Sequence, residues 1–254
     1  MSAAVELKPS LDPSALCNHL VGAVNSVTLE QEPFCHFYTD SLWPTDLYPR
    51  ILQSFPDPSL YQPQNIKKWV RADGTSTRNN FFLTAENISK LPPEQSQFWS
   101  AMVQAVVDER LKRAVFAKLA PDLARRFKIP ESEVPNIPCV HELILVRDLE
   151  DYKIPPHPDG INKIVTLQMY LPEDSTTDFL GTSLYKLNKN FWGKKSFEEV
   201  KRFKFLPNSA YAFAVSDSKE RVSWHGRELI TNFKGVRNTL MVIFQSEALR
   251  EYDY

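Results

Sequence analysis

From Pro138 onward the chain breaks into short β-branched or aromatic runs, and no long helical period separates them. The runs are His141 to Arg147, Lys163 to Leu171, Leu180 to Lys186, Ser209 to Ser216, Val222 to Ile230 and Arg237 to Gln245, with turn residues between them. Several short strands without intervening helices point to a sandwich or barrel of antiparallel strands. This pattern constrains the fold more than any other feature of the chain.

The N-terminal half reads differently. Phe98, Met102, Ala105, Val106, Leu111, Val115 and Leu119 recur near the 3.6-residue period, so Pro93 to about Leu119 is expected to be an amphipathic helical stretch packed on a sheet, ended by Pro121. A shorter helix is expected around Ser14 to Val24. A brief aromatic strand after Phe34 leads to another helix from about Pro44 to Phe55, closed by prolines. The stretch from Gln62 to Pro93 is rich in Asn, Thr, Ser and Arg, and reads as connection with one strand around Asn80 to Leu83.

At 254 residues and 43% hydrophobic content, the chain can bury a sizeable core in one domain. Its 30 basic and 31 acidic residues nearly cancel, so the electrostatic footprint of a nucleic-acid binder is missing. Cys17, Cys35 and Cys139 are odd in number and share no C-x-x-C spacing, which argues against a disulfide framework or a thiolate zinc site. With no apolar run of membrane-spanning length and no signal-like start, the expectation is a soluble cytoplasmic protein without a membrane partner.

The residues that carry chemistry lie in the strand-rich half. Of five histidines, His157 and His225 sit at expected strand borders beside turn residues, in His157-Pro158-Asp159-Gly160 and Ser223-Trp224-His225-Gly226. Asp159 follows His157 by two residues and shares its face if the chain is extended there. Alone, Asp159 could as well cap the turn before Gly160, and His225 could be a packed histidine. In this order and on these strands, two imidazoles and a carboxylate form a facial set that leaves metal positions open, as in non-haem Fe(II) oxygenases. His141 is the rival ligand, but it opens a strand well before the turn and suits a structural role. Zinc accepts the same donors. Arg237, twelve residues past His225, tilts the choice toward iron, because its planar fork suits the far carboxylate of an acidic co-substrate.

These motifs resemble the Fe(II) and 2-oxoglutarate-dependent oxygenase superfamily, in its prolyl-hydroxylase-like branch. The resemblance covers roughly Val140 to Phe244, through Pro-His-Pro-Asp-Gly, Lys-Ile-Val-Thr-Leu-Gln-Met-Tyr-Leu-Pro, Leu-Gly-Thr-Ser-Leu-Tyr, Asn-Ser-Ala-Tyr-Ala-Phe, Ser-Trp-His-Gly and Gly-Val-Arg-Asn-Thr-Leu. It implies an α+β fold, a double-stranded β-helix or jelly roll with N-terminal helices packed on one sheet. Residues 1 to 137 would form the mainly helical part with lid-type loops, and residues 138 to 246 the jelly-roll core. It further implies that His157, Asp159 and His225 bind Fe(II) and that Arg237 pairs with 2-oxoglutarate. Thr239, Tyr170 and, more weakly, Thr166 are candidates for the same carboxylate. The implied reaction couples decarboxylation of 2-oxoglutarate by O2, to succinate and CO2, with hydroxylation of an unactivated C-H bond. In related halogenases a small residue replaces the carboxylate, so Asp159 favours hydroxylation.

A small molecule is the expected substrate. A protein or peptide residue is the second reading, and a non-catalytic jelly-roll binding module is the third, from another class. Arg147, Tyr185, Arg221, Trp224 and the stretch from Asp73 to Asn80 flank the expected mouth as candidate substrate contacts.

Overall fold

Strict alternation along the strands decides which side chains meet the helices and which meet the site. The computed structural model describes residues 10–189, 195–216, 218, 221–228 and 233–246. Its helices are α1 (Pro13–Ser26), α2 (Leu47–Gln53), α3 (Ala85–Ser89), α4 (Pro93–Val106), α5 (Glu109–Lys118) and α6 (Ala120–Phe127). Its strands are β1 (His36–Thr39), β2 (Gln62–Pro63), β3 (Arg78–Phe82), β4 (Val140–Asp148), β5 (Ile154–His157), β6 (Lys163–Tyr170), β7 (Ser183–Lys189), β8 (Lys195–Arg202), β9 (Ala210–Ala214), β10 (His225–Arg227) and β11 (Arg237–Gln245).

The strands form two antiparallel sheets, a seven-stranded one ordered β1-β9-β6-β11-β4-β3-β2 and a four-stranded one ordered β5-β10-β7-β8. Leu143 and Leu145 of β4, Val165, Leu167 and Met169 of β6, and Leu240, Val242 and Phe244 of β11 point from the larger sheet into the helical layer. There they meet α1, α4, α5 and α6 through Leu20, Trp99, Val115, Phe116 and Leu123. The alternate residues face the smaller sheet, where Tyr170, Leu184, Phe203, Phe205, Tyr211 and Phe213 form a second, aromatic core between the sheets. Because β4, β6, β9 and β11 are central and covered on both faces, they read as near-continuous apolar runs.

Several details differ from the sequence expectations, and the stretch from Gln62 to Pro93, expected to hold one strand, holds β2, β3 and α3. The helical stretch after Pro93 is two helices, because the Asp108 carboxylate accepts the Arg110 N–H at 2.9 Å and starts α5 anew. Pro121 does not end helicity but sits in the first turn of α6, where its missing N–H costs nothing. The unanticipated β5 and β8 are outer strands of the smaller sheet, a place that tolerates the two prolines of β5 and the charges of β8. Leu229 and Ile230, the end of one expected strand, lie outside the described residues. Strands β1, β2 and β3, from the helical half, complete the larger sheet, so residues 1 to 137 and 138 to 246 share one layer. No helix among the described residues is long and apolar enough to cross a membrane.

Candidate metal centre

Antiparallel pairing of β5 with β10 sets His225 directly opposite His157. The imidazole centroids lie 4.4 Å apart. Each ring is oriented by a backbone carbonyl, with Nδ1 of His157 3.0 Å from the Pro155 oxygen and Nδ1 of His225 2.9 Å from the Ser223 oxygen. A proton on each Nδ1 satisfies these contacts and makes Nε2 the lone-pair nitrogen of both rings. Asp159 completes the set, with Oδ2 3.9 Å from His225 Nε2 and all three donor atoms within 4.8 Å of one another.

The carboxylate is held ionised in a buried place. Burial opposes the charge on Asp159, but Lys163 Nζ at 2.6 Å from Oδ1, the neighbouring His225 and the Thr166 hydroxyl at 2.8 Å from Oδ2 together hold its carboxyl well below the usual range. Burial pushes His225 down, toward the neutral form that binds metals. Two imidazoles and one carboxylate at this spacing suit a divalent ion, whose ligand distances lie near 2.1 Å.

The three donors line a cavity of about 440 Å³ between the sheets, together with Thr166, Gln168, Thr182, Tyr211 and Arg237. Arg237 is fully enclosed. Its Nε donates to the Leu180 carbonyl at 2.8 Å, one Nη to Asp148 Oδ2 at 2.9 Å and the other to Thr182 Oγ1 at 3.4 Å. Thr182 Oγ1 and Gln168 Oε1 flank the Tyr211 hydroxyl, and Gln168 Nε2 donates to Thr239 Oγ1 at 3.2 Å.

The other expected co-substrate contacts sit differently. Tyr170 lies behind Arg237, its ring 5.0 Å from the guanidinium carbon and its hydroxyl oxygen accepting the Thr182 N–H. Thr166 is engaged with Asp159. Thr239 reaches the cavity only through Gln168.

None of the four single-residue substrate candidates lines the cavity, and strand parity or local pairing explains why. Arg147 precedes Asp148 on β4 and so faces the other way, over Tyr61. Trp224 precedes His225 and packs on Phe197. Tyr185 also packs on Phe197, and Arg221 is taken by Asp122 and Glu32. The Asp73 to Asn80 stretch contributes its end, since Arg78 and Asn80 of β3 do line the cavity.

Sequence reasoning missed the group that dominates the far wall. Asp148 pairs in register with Arg78 on one side and Arg237 on the other, and its carboxylate bonds both. Arg227, on β10, approaches the same carboxylate to 3.9 Å. The rule that residues i and i+2 share a face, used for Asp159, would have found Arg227 from His225. No local signal marks Asp148 or Arg78, because their pairing spans seventy positions.

Neither the protein-family models nor the curated protein sequences yield a match to this chain. Solved structures do. A prolyl hydroxylase from Trichoplax adhaerens, in complex with a hypoxia inducible factor oxygen degradation domain peptide fragment, superposes with a TM-score of 0.52 at 11% identity, covering 95% of this chain and 94% of that one. A Pseudomonas putida prolyl-4-hydroxylase matches with a TM-score of 0.48 at 11% identity over 91% of this chain and all 100% of its own. A 2OG-Fe(II) oxygenase family oxidoreductase from Burkholderia pseudomallei matches at 0.47 and 11% identity, over 83% and 84% of the two chains. The two antiparallel sheets with helices on one face thus share the fold of the Trichoplax prolyl hydroxylase, the architecture that the motifs had implied.

Proposed function

We propose that this chain is an Fe(II)- and 2-oxoglutarate-dependent dioxygenase that hydroxylates an unactivated C-H bond of a small molecule, with release of succinate and CO2. The observation that carries the reading is the convergence of His157, Asp159 and His225 in one cavity with a buried Arg237. Bound Fe(II) with 2-oxoglutarate and O2 would supply the oxidising chemistry, and the protein would supply binding, orientation and charge.

Each residue then has a defined task. The Pro155 and Ser223 carbonyls hold the two imidazole tautomers, while Lys163 and Thr166 fix the carboxylate. Arg237 spends three of its five N–H donors on Leu180, Asp148 and Thr182, which leaves two for the far carboxylate of the co-substrate. Tyr211 and Thr182 add hydroxyls to the same wall. A cavity of about 440 Å³ between two sheets is of metabolite size, which favours a small molecule over a peptide.

Anaerobic addition of Fe(II) and 2-oxoglutarate should produce the weak visible charge-transfer band of the chelate, and O2 should then release succinate. Absence of both would leave a non-catalytic binding module. Asp159→Gly should lose both signals, and full hydroxylation by that variant would remove Asp159 from the ligand set.

A further inference from the structure

Three guanidiniums surround one carboxylate in the cavity wall. Arg78 Nε lies 2.6 Å from Asp148 Oδ1, Arg237 Nη1 2.9 Å from Oδ2 and Arg227 Nη2 3.9 Å from Oδ2. Among the described residues, three cations against this one anion leave an excess of two positive charges in a place sheltered from water. Glu142, the one acid besides Asp159 among the lining residues, stands six residues away along β4 and bonds Gln245. Unmatched buried charge is strongly unfavourable, so such an excess points to anions supplied from outside.

Arg227 is the least satisfied of the three. It is 6% exposed, it donates to the Tyr152 carbonyl at 3.1 Å, and its Nε has no hydrogen-bond partner. Its guanidinium carbon lies 4.7 Å from the centre of the Tyr152 ring, and that of Arg78 lies 4.2 Å from the same ring. The Tyr152 hydroxyl also has no partner.

We propose that Arg227 and Arg78, joined by Tyr152, form an anion clamp at the primary-substrate end of the cavity, and that the substrate is a small carboxylic acid. The assignment rests on the oxygenase reading, in which the far carboxylate of 2-oxoglutarate takes one of the two excess charges at Arg237. One positive charge then remains, which matches a carboxylate monoanion better than a phosphate dianion. Ile144, Ile154 and Ile243 line the same cavity and would take the apolar body of the acid. His225 and Arg227 are alternate residues of one strand, with Cα atoms about 6–7 Å apart, so the clamp and the metal donors serve one bound molecule.

The test uses the full chain loaded anaerobically with Fe(II) and 2-oxoglutarate, as wild type, Arg227→Gln and Arg78→Gln. Phenylacetate and hexanoate, each beside its primary amide, are titrated by calorimetry, with inorganic phosphate as competitor. At least one acid should bind wild type tenfold or more tightly than its amide, phosphate should not displace it, and either substitution should erase the preference. The charge-transfer band should persist in Arg227→Gln. Equal binding of acid and amide by wild type, with the band present, overturns the clamp and leaves the oxygenase reading standing. Displacement by phosphate overturns the carboxylate assignment, and a band lost in Arg227→Gln gives that residue to the co-substrate instead. No band in wild type removes the oxygenase reading and the clamp with it. Ligand-free Arg227→Gln should melt at or above the wild-type temperature, since an unmatched cation is gone. A drop of several degrees, or failure to fold, would make the arginine structural and sink the proposal.

Discussion

Gly226 lies against the backbone of Ile154, so close that a Cβ placed on it would stand 2.6 Å from the Ile154 carbonyl oxygen and 3.0 Å from Pro155. This contact lets β10 approach β5 closely enough for His225 to face His157. Gly226→Ala must push the strands apart. It is expected to cost roughly 1–3 kcal/mol in urea unfolding and to weaken Fe(II) binding about tenfold or more. A variant with wild-type metal affinity would show that the approach does not position the histidines.

Among the described residues, Asp148 is the only anion bonded to Arg78 and Arg237, and burial alone would disfavour its charge. The three arginines outweigh that burial and lower its pKa. Asp148→Asn keeps the shape and removes the charge. Leaving the guanidiniums uncompensated should cost roughly 3–5 kcal/mol of stability by chemical denaturation. A loss under about 1 kcal/mol would mean that solvent, not Asp148, balances the cluster.

Thr166 donates to Asp159. Thr166→Val should therefore weaken Fe(II) binding by about 10- to 100-fold, the usual effect of losing a group that orients a ligand, as read by competition with a chelator. Affinity for 2-oxoglutarate at saturating Fe(II) should stay unchanged. If instead only 2-oxoglutarate binding fell, the hydroxyl would belong to the co-substrate.

His36 is fully buried among Phe34 and Phe203, and burial lowers its pKa below the exposed value of 6.5 despite Glu30 at 3.6 Å. The unfolded chain therefore takes up the proton first as pH falls. Stability is fully present above pH 6.5 and declines below it, by up to about 1.4 kcal/mol per pH unit for this one group, until the folded-state pKa is reached. Urea unfolding at pH 7.5 and 5.5 should show the decline, and His36→Phe should flatten it. An unchanged slope in the variant would place its source elsewhere.

How much of this was legible in the chain follows from the range of each interaction. The strands β4, β6, β9 and β11 announce themselves because β-branched and aromatic runs between turn residues are a local pattern. His157 and Asp159 are two residues apart, so a backbone extended there would put both on one face. By contrast β5 hides behind two prolines and β8 behind charges, since an outer strand needs neither full hydrogen bonding nor an apolar face.

From the sequence came a sandwich or barrel of antiparallel strands, the metal donors as a candidate set and the presence of an arginine on the last strand. Tertiary structure alone decided what that arginine does. Strand order brings β3 and β11 to either side of β4, and sheet packing brings β10 over them, so Arg78, Arg237 and Arg227 converge on Asp148. The charge of a site is the sum over residues that meet in space, and no local pattern records which distant strands become neighbours.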